Sequence, residues 1–148
     1  MKCFVICFSF QPKTSLGVLI LFCIFDRATR WGDAIPCITN STEQTSRALQ
    51  TFYGVVKPNR IYTDGASELN AACKGLGFSH DCSTPHRSQS TGVAERFVRR
   101  TKEGTACQVQ QSGMCVAWWH LVARMYCFLC NVCEKVVKCE DGSWITPH

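Results

Sequence analysis

The stretch Ile61-Tyr62-Thr63-Asp64-Gly65-Ala66-Ser67-Glu68-Leu69 begins as an apolar-flanked strand, ends on a carboxylate and continues with small residues. The strand is predicted at Arg60–Thr63. A carboxylate at the carboxyl end of a strand lies where open α/β sheets place their ligands. An aspartate before glycine also accepts backbone hydrogen bonds in ordinary turns. Taken alone, Asp64 fits the turn better than the ligand site.

Downstream of this strand, the sequence predicts a helix from Val93 to about Gln111. A helical period of 3.6 residues places one set of side chains on a single face: Ala94, Phe97, Val98, Thr101 and Thr105. The opposite face carries Glu95, Arg96, Arg99, Arg100, Lys102 and Glu103. With Gly92 as N-cap, Glu95 would be a capping glutamate. Its pair with Arg99 would be worth ~0.2–0.5 kcal/mol.

The rest of the chain alternates strands and helices. Strands are predicted at residues 3–10, 16–25 and 33–38, with turns at 11–15 and 26–31. A weak signal peptide is the alternative for the amino terminus, although no clear cleavage site follows it. A helix capped by Asn40, Ser41 or Thr42, with Glu43 completing a capping box, buries Ala48, Leu49 and Phe52 and stops at Gly54. A second helix covers 69–76, a polar loop 79–92, and a last helix 117–133.

This order predicts an α/β fold with a mixed sheet flanked by helices. The predicted domain covers residues 1–133, with 1–15 least certain, and 134–148 form a polar tail. In the last helix, an apolar stripe is expected to be core: Trp118, Leu121, Val122, Met125, Leu129 and Val132. His80 and His120 are interpreted as structural.

Composition constrains function only weakly. The chain has 148 residues, with 16 Lys plus Arg against 11 Asp plus Glu, a net charge of +5 that permits a nucleic-acid partner without requiring one. No apolar run reaches the ~20 residues of a membrane span. Many of the 12 cysteines lie in apolar runs, which favours reduced thiols over disulfides. Cys127, Cys130 and Cys133 open with the spacing of iron–sulfur motifs, but the fourth cysteine, Cys139, is misplaced, so the first three are interpreted as one face of a helix.

Read together, the two opening stretches resemble a known family. The second runs Ser83-Thr84-Pro85-His86-Arg87-Ser88-Gln89-Ser90-Thr91-Gly92-Val93-Ala94-Glu95-Arg96. With the Asp64 strand end, it is similar to the catalytic core of retroviral and retrotransposon integrases. Asp26-Arg27-Ala28-Thr29-Arg30-Trp31 resembles that family's turn after its second strand. Trp118-Trp119 and the helix to Cys133 resemble its later core helix.

The resemblance implies an RNase H-like fold and metal-dependent DNA strand transfer in integration. Asp64 and Glu95 match two carboxylates of the family's catalytic triad, which hold Mg²⁺ or Mn²⁺. The expected partners are retroelement DNA ends and target DNA, with no membrane and a possible homo-oligomer; a nuclear location is expected. We expect DNA contacts from the basic and polar residues of this region: His86, Arg87, Gln89, Arg96, Arg99, Arg100 and Lys102.

The sequence departs from the family in three places. Thirty residues separate Asp64 from Glu95, fewer than usual, and Gly65 replaces a common asparagine. The family's first aspartate lies on the first strand, yet residues 1–25 contain no Asp or Glu. Asp26 is the first acidic residue, but its context places it after the second strand. The alternative to an active enzyme is therefore a catalytically dead DNA-binding relic, from a truncated or misframed copy.

Overall fold

A five-stranded mixed sheet forms the centre of the molecule. The structure is a computed structural model that describes residues 2–8, 20–63, 65–82, 88–134, 137–140 and 142–146. The strands are β1 (Lys2–Phe8), β2 (Ile20–Asp26), β3 (Gly32–Cys37), β4 (Arg60–Thr63) and β5 (His80–Cys82). Their spatial order is β3-β2-β1-β4-β5, with β1, β2 and β3 antiparallel and β4 and β5 parallel to β1. The predicted α/β fold with a mixed sheet is confirmed.

Four helices cover the two faces of this sheet. They are α1 (Thr42–Tyr53), α2 (Ser67–Leu76), α3 (Ser88–Ser112) and α4 (Trp119–Cys133), the last preceded by a 3-10 turn at Val116–Trp118. A small antiparallel hairpin, β6 (Val137–Lys138) with β7 (Trp144–Ile145), lies in the region expected to be a polar tail. The turn predicted at residues 11–15 lies outside the described residues.

Alternation along β2 divides the core into two clusters. Phe22 and Ile24 face α1 and α2, whereas Leu21 and Cys23 face α3 and α4. Both faces of β2 are therefore buried, which explains why its sequence is an apolar run without polar alternation. Burial raises the pKa of the Cys73 thiol to about 11. The nine cysteines with described side chains are free thiols, as expected for a reduced chain.

Helix α1 begins at one of its three predicted N-cap residues. Ser41 is the N-cap, and its hydroxyl accepts a hydrogen bond from the Gln44 amide. The Gln44 side chain in turn accepts from the amides of Ile38 and Thr39. Gln44 thus takes the role predicted for Glu43. It occupies the third helical position after Ser41, where either Glu or Gln can accept hydrogen bonds from backbone amides before the helix. The predicted end at Gly54 is confirmed.

The predicted polar loop at 79–92 is wrong at both ends. His80–Cys82 forms β5, and α3 begins at Ser88. Gly92 lies inside α3, so Glu95 is a residue of its second turn instead of a capping glutamate. Ser88–Thr91 carry no apolar residue that could reveal a helical period, and Gly92 has low helix propensity, so tertiary context overrides the local signal.

The burial of α4 differs from the predicted stripe. Trp119, Val122, Ala123, Cys127 and Asn131 are its buried residues. Trp118, Leu121 and Met125, expected in the core, are instead about half exposed, at 49%, 50% and 59%. By length and composition alone, Val116–Cys133 could cross a membrane, a test that core helices of soluble proteins also pass.

Two polar contacts tie α4 to the edge strand β3. The Asn131 side chain accepts a hydrogen bond from the Gly32 amide at 3.0 Å and donates to the Gly32 carbonyl at 2.8 Å. It therefore pairs with β3 as a neighbouring strand would. Arg124 forms an ion pair with Asp33 at 3.5 Å. Gly104 lets α3 approach α4 closely, because a Cβ there would collide with the Tyr126 ring.

Candidate nucleic-acid interface

The turn at the carboxyl end of β4 is held by side chains on both sides of Asp64. The buried Thr63 hydroxyl forms a hydrogen bond with His80 Nε2 on β5 at 2.6 Å. The same hydroxyl accepts from the Gly65 amide at 3.2 Å, and Asn70 donates to the Gly65 carbonyl. Gly65 has φ 88°, a conformation that glycine adopts easily. Asp64 itself lies outside the described residues.

This geometry gives a physical basis to the glycine at position 65 and to the structural role expected of His80. Glycine in place of the family's asparagine suits the positive φ that the turn requires at Gly65. His80, which we interpreted as structural, hydrogen-bonds the residue directly before Asp64. No pattern in the sequence linked the two, because residues 63 and 80 meet only when β4 and β5 pair in the sheet.

Glu95 projects from the exposed side of α3. Its neighbour Ala94 is buried, and α3 packs against β1 and β2. Strand β1 lies beside β4 in parallel, with Phe4 opposite Tyr62. The Glu95 helix therefore lies over the strand next to the one that precedes Asp64. Among the described residues, Glu95 has no hydrogen bond or ion pair, so the expected pair with Arg99 is absent there.

The predicted buried face of α3 is confirmed. Val98, Thr101 and Thr105 are buried together with Ala94. Arg96 donates from Nε to the Gly92 carbonyl at 3.0 Å. Arg99 pairs with Glu103 instead of Glu95, at 3.9 Å with both side chains more than 70% exposed, so that pair contributes ~0–1 kcal/mol. The guanidinium groups of Arg96 and Arg99 are thus open to an anionic partner.

Arg100 belongs to a different environment. Its guanidinium turns toward α4, where it donates to the Tyr126 hydroxyl and to Cys130 Sγ and pairs with Glu134. Glu134 therefore balances its charge. Lys102 is partly buried and borders an apolar cavity of about 210 Å³ between α3 and α4. Both differ from the fully outward cations Arg96 and Arg99.

Of the three predicted contact residues before Arg96, the structure describes the backbone of Gln89 alone. His86 and Arg87 lie outside the described residues, as does Asp64. Gln89 is in the first turn of α3, and its side chain is not described.

Asp26 lies on the opposite face of the sheet from the Glu95 helix. It ends β2 opposite Cys3, near the amino end of β1, and it is 7% exposed. Its carboxylate accepts hydrogen bonds from the Ala28 amide and the Thr29 hydroxyl. Along β2 it alternates with Phe22 and Ile24, on the face that α1 and α2 cover. Because α3 lies on the other face, the placement after the second strand is confirmed and Asp26 does not join Glu95.

The donor set for a divalent metal is only partly described. Mg²⁺ prefers carboxylate oxygens and holds several waters, and an exposed carboxylate such as Glu95 suits it. Within the described part of the chain, no group of three or more His, Cys, Asp or Glu side chains could hold a metal ion. Glu95 is the single described member of the predicted pair, and β1 supplies no carboxylate from Lys2–Phe8.

Comparison with known proteins identifies the fold. No protein-family model and no curated protein matches the sequence. One similar solved structure is the simian T-cell lymphotropic virus intasome in complex with PP2A regulatory subunit B56 gamma, with TM-score 0.71 and 16% identity over 99% of this chain. The chain spans 52% of that protein's length. Another is the HTLV-2 integrase catalytic core domain in complex with magnesium, in a trimeric form.

That second match has TM-score 0.71 and 14% identity, and it covers 99% of this chain and 92% of the viral domain. At such low identity, the agreement establishes the fold and nothing finer. The chain has the fold of a retroviral integrase catalytic core, and the resemblance noted in the sequence is confirmed at that level.

Proposed function

We propose that this chain is the integrase-type core of a retroelement and that it binds DNA through the exposed cationic side of α3. The observation that carries the proposal is the pair of outward guanidinium groups, Arg96 and Arg99, beside the exposed Glu95. Arginine donates in a planar fork that matches phosphate oxygens. Arg100 contributes less, because Glu134 already balances its charge.

In such a core, Asp64 and Glu95 would hold Mg²⁺ or Mn²⁺, and the metal would activate the attacking oxygen and stabilise the leaving oxygen. The remaining carboxylate of the family's triad, the aspartate of its first strand, has no counterpart on β1. Asp26 faces the other side of the sheet. A metal pair held by two carboxylates is under-coordinated. We therefore propose that the chain retains DNA binding while having little or no strand-transfer activity.

The test is DNA binding by wild type and by Arg96→Gln/Arg99→Gln, measured by fluorescence anisotropy at several salt concentrations. Each neutralised phosphate releases counterions, so loss of two contacts should weaken binding and reduce the salt slope by about two. The matched control is Arg47→Gln/Lys74→Gln, which removes the same charge from exposed positions on α1 and α2. Equal losses in both variants would reduce the effect to net charge and contradict the proposal.

A strand-transfer assay with Mn²⁺ on a DNA end tests the second part of the proposal, the lack of strand-transfer activity. We expect background activity from wild type, Glu95→Gln and Asp26→Asn alike. Robust wild-type activity that Glu95→Gln abolishes would show a complete site and contradict the proposed lack of strand-transfer activity. If Asp26→Asn also abolished it, Asp26 would be the missing ligand despite its position in the sheet.

The outer face of α4 supports a second copy of the chain as a partner. Trp118, Leu121, Met125 and Phe128 follow one another at helical spacing, and each is about half exposed. With the exposed Val116 and Met114 just before them in the chain, these residues make a patch of six side chains, against about 20–30 residues from each partner of a standard interface. The patch is smaller than such an interface, so we propose weak, concentration-dependent self-association.

Sedimentation over a range of protein concentrations tests this association. Met125→Glu should shift the chain toward monomer, because a charge in the contact would lose its hydration. Val55→Glu is the control, since Val55 is fully exposed in the loop after α1. A wild-type chain that stays monomeric at high concentration, or equal behaviour of both variants, would contradict the proposal.

A further inference from the structure

Asp26 is a buried carboxylate for which the proposed DNA-binding function has no use. It is 7% exposed, and its two oxygens accept hydrogen bonds from the Ala28 amide at 3.0 Å and the Thr29 hydroxyl at 2.8 Å. Among the described residues it has no ion pair. Buried carboxylates are normally paired with a cation or a metal. Among the described residues, no cation therefore lies within ion-pair distance of Asp26.

A cavity of about 190 Å³ lies against this carboxylate. It is bounded by the turn after β2, the end of α1 and the following loop, which contribute the rings of Trp31, Phe52 and Tyr53. The ring centroids of Phe52 and Tyr53 lie 5.0 Å apart with their planes at 83°, an edge-to-face arrangement. Phe78, which does not line the cavity, packs edge to face on Tyr53 at 5.8 Å between ring centroids. The cavity thus combines three aromatic rings with one carboxylate.

This combination selects a particular ligand chemistry. The faces of aromatic rings attract cations, and cages of several rings recognise quaternary ammonium groups. The carboxylate adds charge attraction for such a cation. A strongly hydrated metal ion would instead need several oxygen ligands at once. Drug-sized ligands occupy pockets of ~300–1,000 Å³, so this cavity admits a head group only. We propose that the cavity binds a methylated ammonium group, with Asp26 and the three rings as its contacts.

The site is independent of the proposed DNA-binding function. It lies on the face of the sheet that α1 and α2 cover, whereas Arg96 and Arg99 project from α3 on the other face. One cation of the chain, Lys57, also borders the cavity from the exposed loop after α1. Its ammonium group opposes a cationic ligand and would favour an anionic one. Removing the charge of Lys57 should therefore strengthen the binding of a cationic ligand and weaken the binding of an anionic one.

The first experiment changes the ligand and leaves the protein intact. Choline is compared with its neutral carbon analogue, 3,3-dimethylbutan-1-ol, by proton NMR of the full chain. Ring currents should shift the N-methyl protons of bound choline upfield, and the neutral analogue should bind at least about tenfold more weakly, because cation–π and carboxylate attraction both require charge. Equal binding of the two compounds, or no upfield shift with choline, would overturn the proposal.

The second experiment changes the cavity. Phe52→Leu should weaken choline binding by about tenfold, whereas Phe128→Leu, the same change at an exposed position on α4, should have no effect. Lys57→Gln should strengthen binding because a like charge is removed. Asp26→Asn should weaken it, with the thermal unfolding midpoint recorded because Asp26 also holds its turn. Stronger binding in Asp26→Asn, or weaker binding in Lys57→Gln, would refute a cationic ligand.

Two sources share the methylated ammonium group: a small free molecule and a methylated lysine of another protein. Trimethyllysine capped as an amide is titrated beside choline and beside unmethylated capped lysine. Tighter binding of the trimethyllysine compound identifies a protein partner, and tighter binding of choline identifies a small molecule. Binding of unmethylated lysine as tightly as either would overturn selectivity for methylated ammonium.

Discussion

Helices α3 and α4 pack on the same face of the sheet, but they present different outer faces to solvent. The outer face of α3 carries Arg96, Arg99 and Glu103, whereas that of α4 carries Leu121, Met125 and Phe128. The distribution of charged side chains is enough to decide which side of α3 faces solvent, because these side chains must remain hydrated. Helix α4 is apolar on most sides, so polarity does not orient it. Its orientation depends on a few anchors: Trp119, Asn131 and the ion pair of Arg124.

The two adjacent tryptophans at the start of α4 give the strongest test of that orientation. Trp119 is 2% exposed and Trp118 is 49% exposed. Trp119→Ala should lower the free energy of unfolding by ~3–5 kcal/mol, the usual cost of emptying a buried aromatic site, and Trp118→Ala by less than ~1 kcal/mol. Urea denaturation of both variants measures the difference. Equal losses would mean that α4 is rotated relative to the described orientation.

The Asn131 clamp should have the next largest effect. Asn131→Leu preserves bulk but leaves the Gly32 amide and carbonyl buried without partners, at ~1–3 kcal/mol for each unsatisfied group. We expect a loss of about 3 kcal/mol in the free energy of unfolding. Cys133→Leu, at an exposed position two residues further along α4, is the control and should be near neutral. A stable Asn131→Leu protein would show that β3 finds other partners.

The smallest effect concerns the ion pair that joins α4 to β3. Burial raises the pKa of the Asp33 carboxyl above 3.8, partly offset by the Ala34 amide and Arg124. The folded chain thus holds this proton to higher pH than the unfolded chain does. The contribution of protonated Asp33 to the free energy of unfolding is fully present below pH 3.8 and is lost as pH rises through the folded pKa.

Asp33→Asn removes that titration and keeps an acceptor for the Ala34 amide. The stability of this variant relative to wild type should therefore rise between about pH 3.8 and the folded pKa. Urea denaturation at several pH values measures it. Glu103→Gln, which removes the exposed partner of Arg99 on α3, should change little. A flat difference for Asp33→Asn would contradict the burial of this carboxyl.

Much of the fold could be predicted because several elements carry strong local signals. Gly54 and Gly77 end α1 and α2 where expected, and Gly77 has the left-handed conformation typical of helix ends. Strand β4 matches its predicted bounds. Strand β5 and the first turn of α3 were missed. Neither has an apolar period of its own, and β5 forms only because β4 offers it a neighbour.

The candidate site divides in the same way. The cationic side of α3 was predicted from its sequence, because charges at helical spacing share a face in any helix. The pairing of Arg100 with Glu134 was not, because it depends on how closely α4 approaches α3 past Gly104. The hydrogen bond between His80 and Thr63 likewise depends on the pairing of two short parallel strands.

The sequence by itself determined the ends of α1 and α2, the buried face of α3 and the position of Asp26 at the end of the second strand. These follow from local periodicity and turn chemistry, which act over a few residues. The tertiary structure alone decided which side of α4 is buried and which face of the sheet Asp26 occupies. Both depend on contacts between residues far apart in the chain, such as Gly32 with Asn131, and no local pattern records them.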